Sequence, residues 1–115
     1  SSGLHVFGGK NAENNDELVF AASPKDVLLH TDAPGSPFCN LGETPSKKDI
    51  GEAAIFCAKY SQDWRNNKNN IVVHMFKRSD MNKERSMKNG TWGVKKKEKV
   101  KVKKEDIFRF EADGT

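Results

Sequence analysis

Between Ser46 and Arg65, Ile50, Ala53, Ala54, Cys57, Tyr60, Ser61 and Trp64 recur at steps of three and four. A period of about 3.6 residues places them on one face of a helix. Lys48, Glu52, Lys59, Gln62 and Asp63 fall mostly on the other side. Ser46 followed by Asp49 resembles a capping box, in which a hydroxyl and a carboxylate satisfy N–H groups that the first turn leaves unpaired. Ala53, Ala54 and Cys57 keep the first half of the apolar face narrow enough for a sheet to approach closely. The pattern predicts one long helix lying across a sheet and ending in the asparagine-rich run Arg65-Asn66-Asn67-Lys68-Asn69-Asn70.

Strand signals surround that helix. Leu4 to Phe7 predict a short strand stopped by Gly8-Gly9, followed by a polar loop over residues 9–16 that enters a short helical turn through Glu17, Leu18 and Val19. Val27, Leu28 and Leu29 lack alternation, which predicts a central strand, and Phe38, Cys39 and Leu41 predict the next one. Ile71 to Phe76 is the strongest strand pattern in the chain, and strand, helix and strand in that order predict a right-handed crossover between parallel neighbours. Lys77 to Asn89 is polar and predicts a loop. A strand through Thr91 to Val94, a turn at Lys95-Lys96-Lys97-Glu98 and a period-two strand over Lys99 to Lys103 follow. Ile107, Phe108 and Phe110 start a C-terminal helix or dock apolar side chains, with a frayed tail over residues 108–115. The expected fold is α+β: a single domain with a mixed, mostly antiparallel sheet of about five strands and one long helix packed across one face.

Composition narrows the function classes. With 115 residues, 35% apolar and 31% charged, the chain supports one lean core. It holds neither an apolar run long enough to span a bilayer nor a leader pattern after Ser1, so a soluble, cytoplasmic protein without a membrane role is expected. Cys39 and Cys57 sit in apolar segments and read as reduced core thiols. The net charge of +4 is unevenly spread: acids outnumber Lys10 and Lys25 before Ser46, and lysine and arginine dominate from Lys47 onward. A one-sided excess of cations attracts polyanions by counterion release, which makes nucleic acid the leading partner class. Solubility alone accounts for such a surface equally simply, and lysines on an edge strand protect against sheet-to-sheet aggregation.

Catalysis and metal binding find little support. His5, His30, His74, Cys39 and Cys57 are scattered, with no pair at ligand spacing, so neither a metal nor a cofactor is expected. Asp26 and His30 lie at opposite ends of one short strand and cannot form a catalytic pair by themselves. The glycine turn at Gly8-Gly9 with Lys10 could present N–H groups to a phosphate, but Glu13, Asp16 and Glu17 oppose an anion and no nucleotide fingerprint is matched. His30 reads either as a neutral ring bonded to a turn or as one that stacks on a base.

Several segments in order resemble a known family: Gly9-Lys10-Asn11 through Asn15-Asp16, Asp26-Val27 with His30-Thr31, Pro34-Gly35-Ser36, Glu52-Ala53-Ala54 with Tyr60-Ser61, and Gly90-Thr91-Trp92 before a lysine-rich strand. From about Leu4 to Ile107 the chain is similar to the NFACT-R domain, and most of all to its compact standalone archaeal form, whose relatives are fused to ribosome quality-control proteins. The resemblance implies a non-enzymatic RNA-binding module associated with tRNA or ribosomal RNA, with DNA binding through the same face or a protein-interaction role as alternatives. The positions it marks are Lys10, Asn11, Asn15, Asp16, Asp26, His30, Gly35, Ser36 and Lys83. Basic residues Lys95, Lys96 and Lys97 follow the Gly-Thr motif, and Lys99 and Lys101 extend them. The resemblance also implies a further strand before Ser1. Pro37, and the absence of a proline after Lys83, depart from the usual pattern.

Overall fold

A computed structural model describes residues 7–8, 12–32, 36–83 and 92–113, with side chains from Asp16 through Ala112 within those ranges. Elements run in the order β1 (Phe7–Gly8), α1 (Ala12–Ala21), β2 (Val27–Thr31), β3 (Cys39–Asn40), α2 (Lys47–Lys59), α3 (Gln62–Asn67), β4 (Ile71–Lys77), β5 (Met81–Asn82), β6 (Gly93–Val94), β7 (Glu98–Val102) and α4 (Lys104–Asp113), with a 3-10 turn at Arg78–Asp80. Among the described residues the main sheet has five strands in the order β1-β3-β2-β4-β7, and β5 and β6 form a separate pair. The fold is α+β, with the Ser46 helix packed across one face of the sheet.

Among the described residues every strand pairing is antiparallel. β3 and β4 therefore run parallel to each other, as a crossover through α2 requires, but β2 lies between them. The expectation of parallel neighbours is corrected in that one respect. β2 bonds to β3 on one side and along its whole length to β4 on the other, from Val27↔Lys77 to Thr31↔Val73. β2 is thus the central strand, and Leu28 and Leu29 on its two faces are both fully buried. Gly42, at φ 80°, turns the chain after β3, where its N–H donates to Asn40 Oδ1 at 2.8 Å and its carbonyl accepts from Val27 N at 2.8 Å. A left-handed φ is cheap for glycine because no Cβ meets the carbonyl.

α2 begins at the capping box expected from the sequence: Asp49 N donates to Ser46 Oγ at 3.1 Å, and Ser46 N donates to Asp49 Oδ2 at 3.1 Å. Such a cap contributes about 1 kcal/mol. The continuous helix expected to Arg65 is instead two segments. Ser61 takes extended geometry, donates through its hydroxyl to Ala58 O at 2.6 Å and accepts from Trp64 N at 3.1 Å, so it starts α3 as an N-cap. The break turns Trp64 into the core, and it leaves Tyr60, placed on the apolar face by periodicity, 49% exposed. α3 closes on Lys68 in the left-handed region.

Two apolar clusters flank the sheet. Leu29, Cys39, Ile71, Val73 and Val102 meet Ala53, Ala54 and Cys57 of α2, together with Trp64 and Ile107. On the opposite face Val19, Leu28, Phe38, Phe76 and Met81 pack together under α1 and the β5–β6 pair. Both cysteines are buried free thiols, and contact with Cys57, then burial, raises the Cys39 thiol well above its usual range.

Three other expectations change. The loop before Glu17 is helical from Ala12, since Asp16 and Val19, three residues apart, are both buried on one face. Such tertiary contacts override the weak local preference of asparagine and aspartate for turns. The polar stretch after Lys77 contributes the 3-10 turn and β5, whose Met81 pairs with Val94 and enters the core. The segment expected to fray from residue 108 continues α4 to Asp113. Phe108 there lies edge-on to Trp64 at 5.0 Å, and Trp64 Nε1 donates to Glu111 Oε2 at 3.3 Å.

Candidate nucleic-acid interface

The lysines after β6 occupy the exposed side of the sheet edge. Val94 ends β6, Lys95 N donates to Asp80 O at 2.8 Å, and Lys95, Lys96 and Lys97 then cross to β7 with exposed side chains. Within β7, Val100 and Val102 turn toward α2, and Lys99 and Lys101 stay exposed on the alternate positions. The period-two pattern read from the sequence holds because a strand must send neighbouring side chains to opposite faces. Lys96 and Lys97 also line a groove of about 770 Å³ with Lys77, Glu43, Asp80 and Glu98, over an apolar floor that includes Val27, Ile50 and Met75.

His30, His74 and Lys99 form one row across β2, β4 and β7. At about 4.8 Å between strands, His30 lies about 10 Å from Lys99. His30 Nδ1 donates to Thr31 O at 2.8 Å, and its ring packs on Phe38 at 4.4 Å between centroids. The carbonyl acceptor assigns the proton to Nδ1. Burial, opposed by hydrogen bonding and reinforced by His74, lowers the His30 pKa below 6.5. The pKa of His74 is lowered too, first by burial and then by the charge of Lys97; Asp32 opposes and Lys99 adds to the shift. His74 Nε2 lies 3.0 Å from Asp32 Oδ1. That contact is close enough for an ion pair but poorly aligned as a hydrogen bond.

A pH dependence follows. The unfolded chain takes up protons on these histidines near pH 6.5, before the folded chain does, so stability falls as pH drops below that value toward the folded pKa values. Urea midpoints are expected to be lower at about pH 5.5 than at about pH 7.5, and His74→Gln is expected to shrink the difference. A midpoint that rises on acidification contradicts this.

Asp16 is the hub of a second group. Its buried carboxylate accepts from Trp92 Nε1 at 2.8 Å and from Lys83 Nζ at 3.3 Å. Arg78 Nε donates to Val19 O at 2.8 Å, and its guanidinium lies over the Trp92 ring at 5.0 Å. Lys83 Nζ sits 5.3 Å from the same ring, and Phe20 approaches it at 5.0 Å with 65° between planes. Phe20 is 62% exposed.

The sequence-marked positions therefore separate into groups. Asp16 and Lys83 meet. Ser36 joins the His30 region, where its buried hydroxyl accepts from Thr31 N at 3.0 Å and donates to Pro37 O at 3.2 Å. Asp26 holds the β2–β3 end, accepting from Ser23 N at 2.9 Å and Asn40 Nδ2 at 3.0 Å. Lys95, Lys96, Lys97, Lys99 and Lys101 form the exposed basic strip. Lys10, Asn11 and Gly35 lie outside the described residues, as does the side chain of Asn15, whose backbone belongs to α1. Phe20 and Arg78 escaped the sequence reading. Trp92 stands in the Gly-Thr-Trp motif but its contacts with Asp16, Arg78 and Phe20 are tertiary, and no periodicity signals Arg78.

Among the described residues, no group of three or more histidine, cysteine, aspartate or glutamate side chains could hold a metal ion, and no helix is long and apolar enough to cross a membrane.

Comparison with known proteins agrees with this architecture. The C-terminal region of the fibronectin/fibrinogen-binding protein of Streptococcus suis superposes with a TM-score of 0.75 at 27% identity, over 85% of this chain. The match spans 40% of the streptococcal chain. No curated protein sequence is significantly similar to this one. The family model of the NFACT protein RNA binding domain matches residues 1–96. With that match over most of its length, the chain belongs to the NFACT RNA-binding domain family.

Proposed function

We propose that this chain is a non-enzymatic RNA-binding module of the translation apparatus, working in the cytoplasm on tRNA or ribosome-associated RNA. The observation that supports this most is the strip of five exposed lysines along the sheet edge, Lys95, Lys96 and Lys97 in the turn and Lys99 and Lys101 on the outward positions of β7, interrupted by Glu98 and the inward Val100, in a chain of an RNA-binding family. Exposed ammonium groups at a strand edge can follow a phosphate backbone without reading bases, which suits a structured RNA recognised by shape.

Fluorescence-anisotropy titration of deacylated tRNA against duplex DNA of equal charge, at low and near-physiological salt, tests the reading. Tighter tRNA binding that survives the higher salt supports RNA recognition. Equal binding to both, abolished by salt, reduces the lysines to a generic basic surface. Binding to neither overturns the proposal and leaves the protein-interaction alternative.

A further inference from the structure

Phe20 is an exposed aromatic side chain on the solvent side of α1, where a polar residue would serve solubility better. A single exposed apolar residue is ordinary, but this one belongs to a built arrangement. Its ring leans on Trp92 at 5.0 Å. Trp92 is held in place by the Asp16 carboxylate, and Arg78 is held beside it by Val19 O. Among the described residues, the terminal nitrogens of Arg78 have no further hydrogen-bond partner. An aromatic surface whose supporting side chains are already fixed loses little rotamer freedom when a flat ligand lands on it.

Position adds the second argument. Trp92 and Lys95 are joined by β6, and at about 3.3 Å per residue the lysine run begins about 10 Å from the tryptophan. The 3-10 turn Arg78–Asp80 lies alongside, bonded to Lys95 through the Asp80 carbonyl. A cationic path thus leads from the aromatic pair past Arg78 to Lys95, Lys96 and Lys97. A ring surface opening onto a line of cations complements an unpaired base whose flanking phosphates continue along that line.

Resting on the RNA reading above, we infer that Phe20, supported by Trp92, is the stacking surface for an unpaired base, with Arg78 beside it for the adjoining phosphate. The preferred ligand is accordingly a single-stranded or looped RNA rather than a continuous duplex, whose bases are already stacked on one another.

The test uses a short single-stranded RNA carrying one 2-aminopurine and a blunt RNA duplex of the same length. Wild-type protein is expected to quench the 2-aminopurine. Phe20→Ala and Phe20→Leu are each expected to weaken single-strand binding by about 5-fold or more, with duplex binding changed by less than about 2-fold. Phe20→Tyr, which restores a ring face, is expected to recover both affinity and quenching. Leucine retains apolar area without a ring face, so full activity of Phe20→Leu overturns stacking. Equal losses for both RNAs overturn it as well. If wild-type protein binds the two RNAs equally and no Phe20 variant alters either, the stacking site is refuted and RNA binding stands; if it binds neither, the underlying reading fails first. Thermal unfolding of each variant checks that the exposed substitution leaves the fold intact.

Discussion

Reversing Lys95, Lys96 and Lys97 together to glutamate is expected to reduce RNA affinity on the order of 50-fold at about 0.15 M salt, even counting only three lost phosphate contacts. Each such contact contributes about 0.7 to the dependence of log K on log salt for a single strand, so the slope should become shallower by about 2. The fold should survive, because these three side chains are exposed and the bond that anchors the segment, Lys95 N to Asp80 O, is a backbone bond. Titration measured over a salt series reads both quantities. A slope equal to wild type would remove the triplet from the interface. An internal control is available: Lys97 is the largest charge lowering the His74 pKa, so the reversal should raise that pKa, which is measurable by following the imidazole resonances with pH. A moved His74 titration with unmoved RNA binding means that the charge was reversed in a place the RNA does not touch.

Asp16→Ala is expected to destabilise the domain by about 3 kcal/mol, the scale for breaking one side of a buried ion pair. The Asp16 and Lys83 side chains retain only 11% and 15% of their exposure, so neither recovers full hydration when the other is removed. The substitution also withdraws the acceptor of the Trp92 indole N–H. Trp92 is half-buried, so its indole N–H left without that acceptor adds about 1 kcal/mol, the low end of the cost of an unpaired donor. Asp16→Asn should cost less, since an amide oxygen can still accept from the indole while the charge partner of Lys83 is lost. Urea unfolding measures both, and a change below about 1 kcal/mol for Asp16→Ala would show that the carboxylate is not the anchor of this cluster. The prediction also separates roles: Asp16 stabilises the platform, whereas Phe20 on its surface should affect RNA without affecting stability.

Elements whose signal is local were legible in the sequence. The Ser46–Asp49 box marked the start of α2 because capping depends on residues three apart. Val27 to Leu29 and Ile71 to Phe76 were recognisable as strands since burial on both faces removes alternation, and Val100 and Val102 were placed inward by period two alone. The break at Tyr60–Ser61 was not legible. A helical period continues smoothly through it, and it is the demand of Trp64 for the core, met by Ser61 as a cap, that turns the chain. The start of α1 was missed for a related reason: asparagine and aspartate favour turns locally, but burial of Asp16 and Val19 against distant segments makes them helical.

For the candidate site, the division is similar. Lysines after the Gly-Thr-Trp motif could be picked out as a charged run, and Asp16 and Lys83 through resemblance, each by its own position. That Asp16 meets Lys83 and Trp92, that Arg78 covers the same ring, and that Phe20 leans on it depends on contacts between residues up to 76 apart in the chain. The sequence by itself determined the helix start, the central strands and the outward lysines, because helical and strand periods and caps act over a few neighbouring residues. Only the tertiary structure decided the strand order, the split of the long helix and the assembly of the aromatic cluster, because these arise from burying surfaces that chain proximity does not bring together.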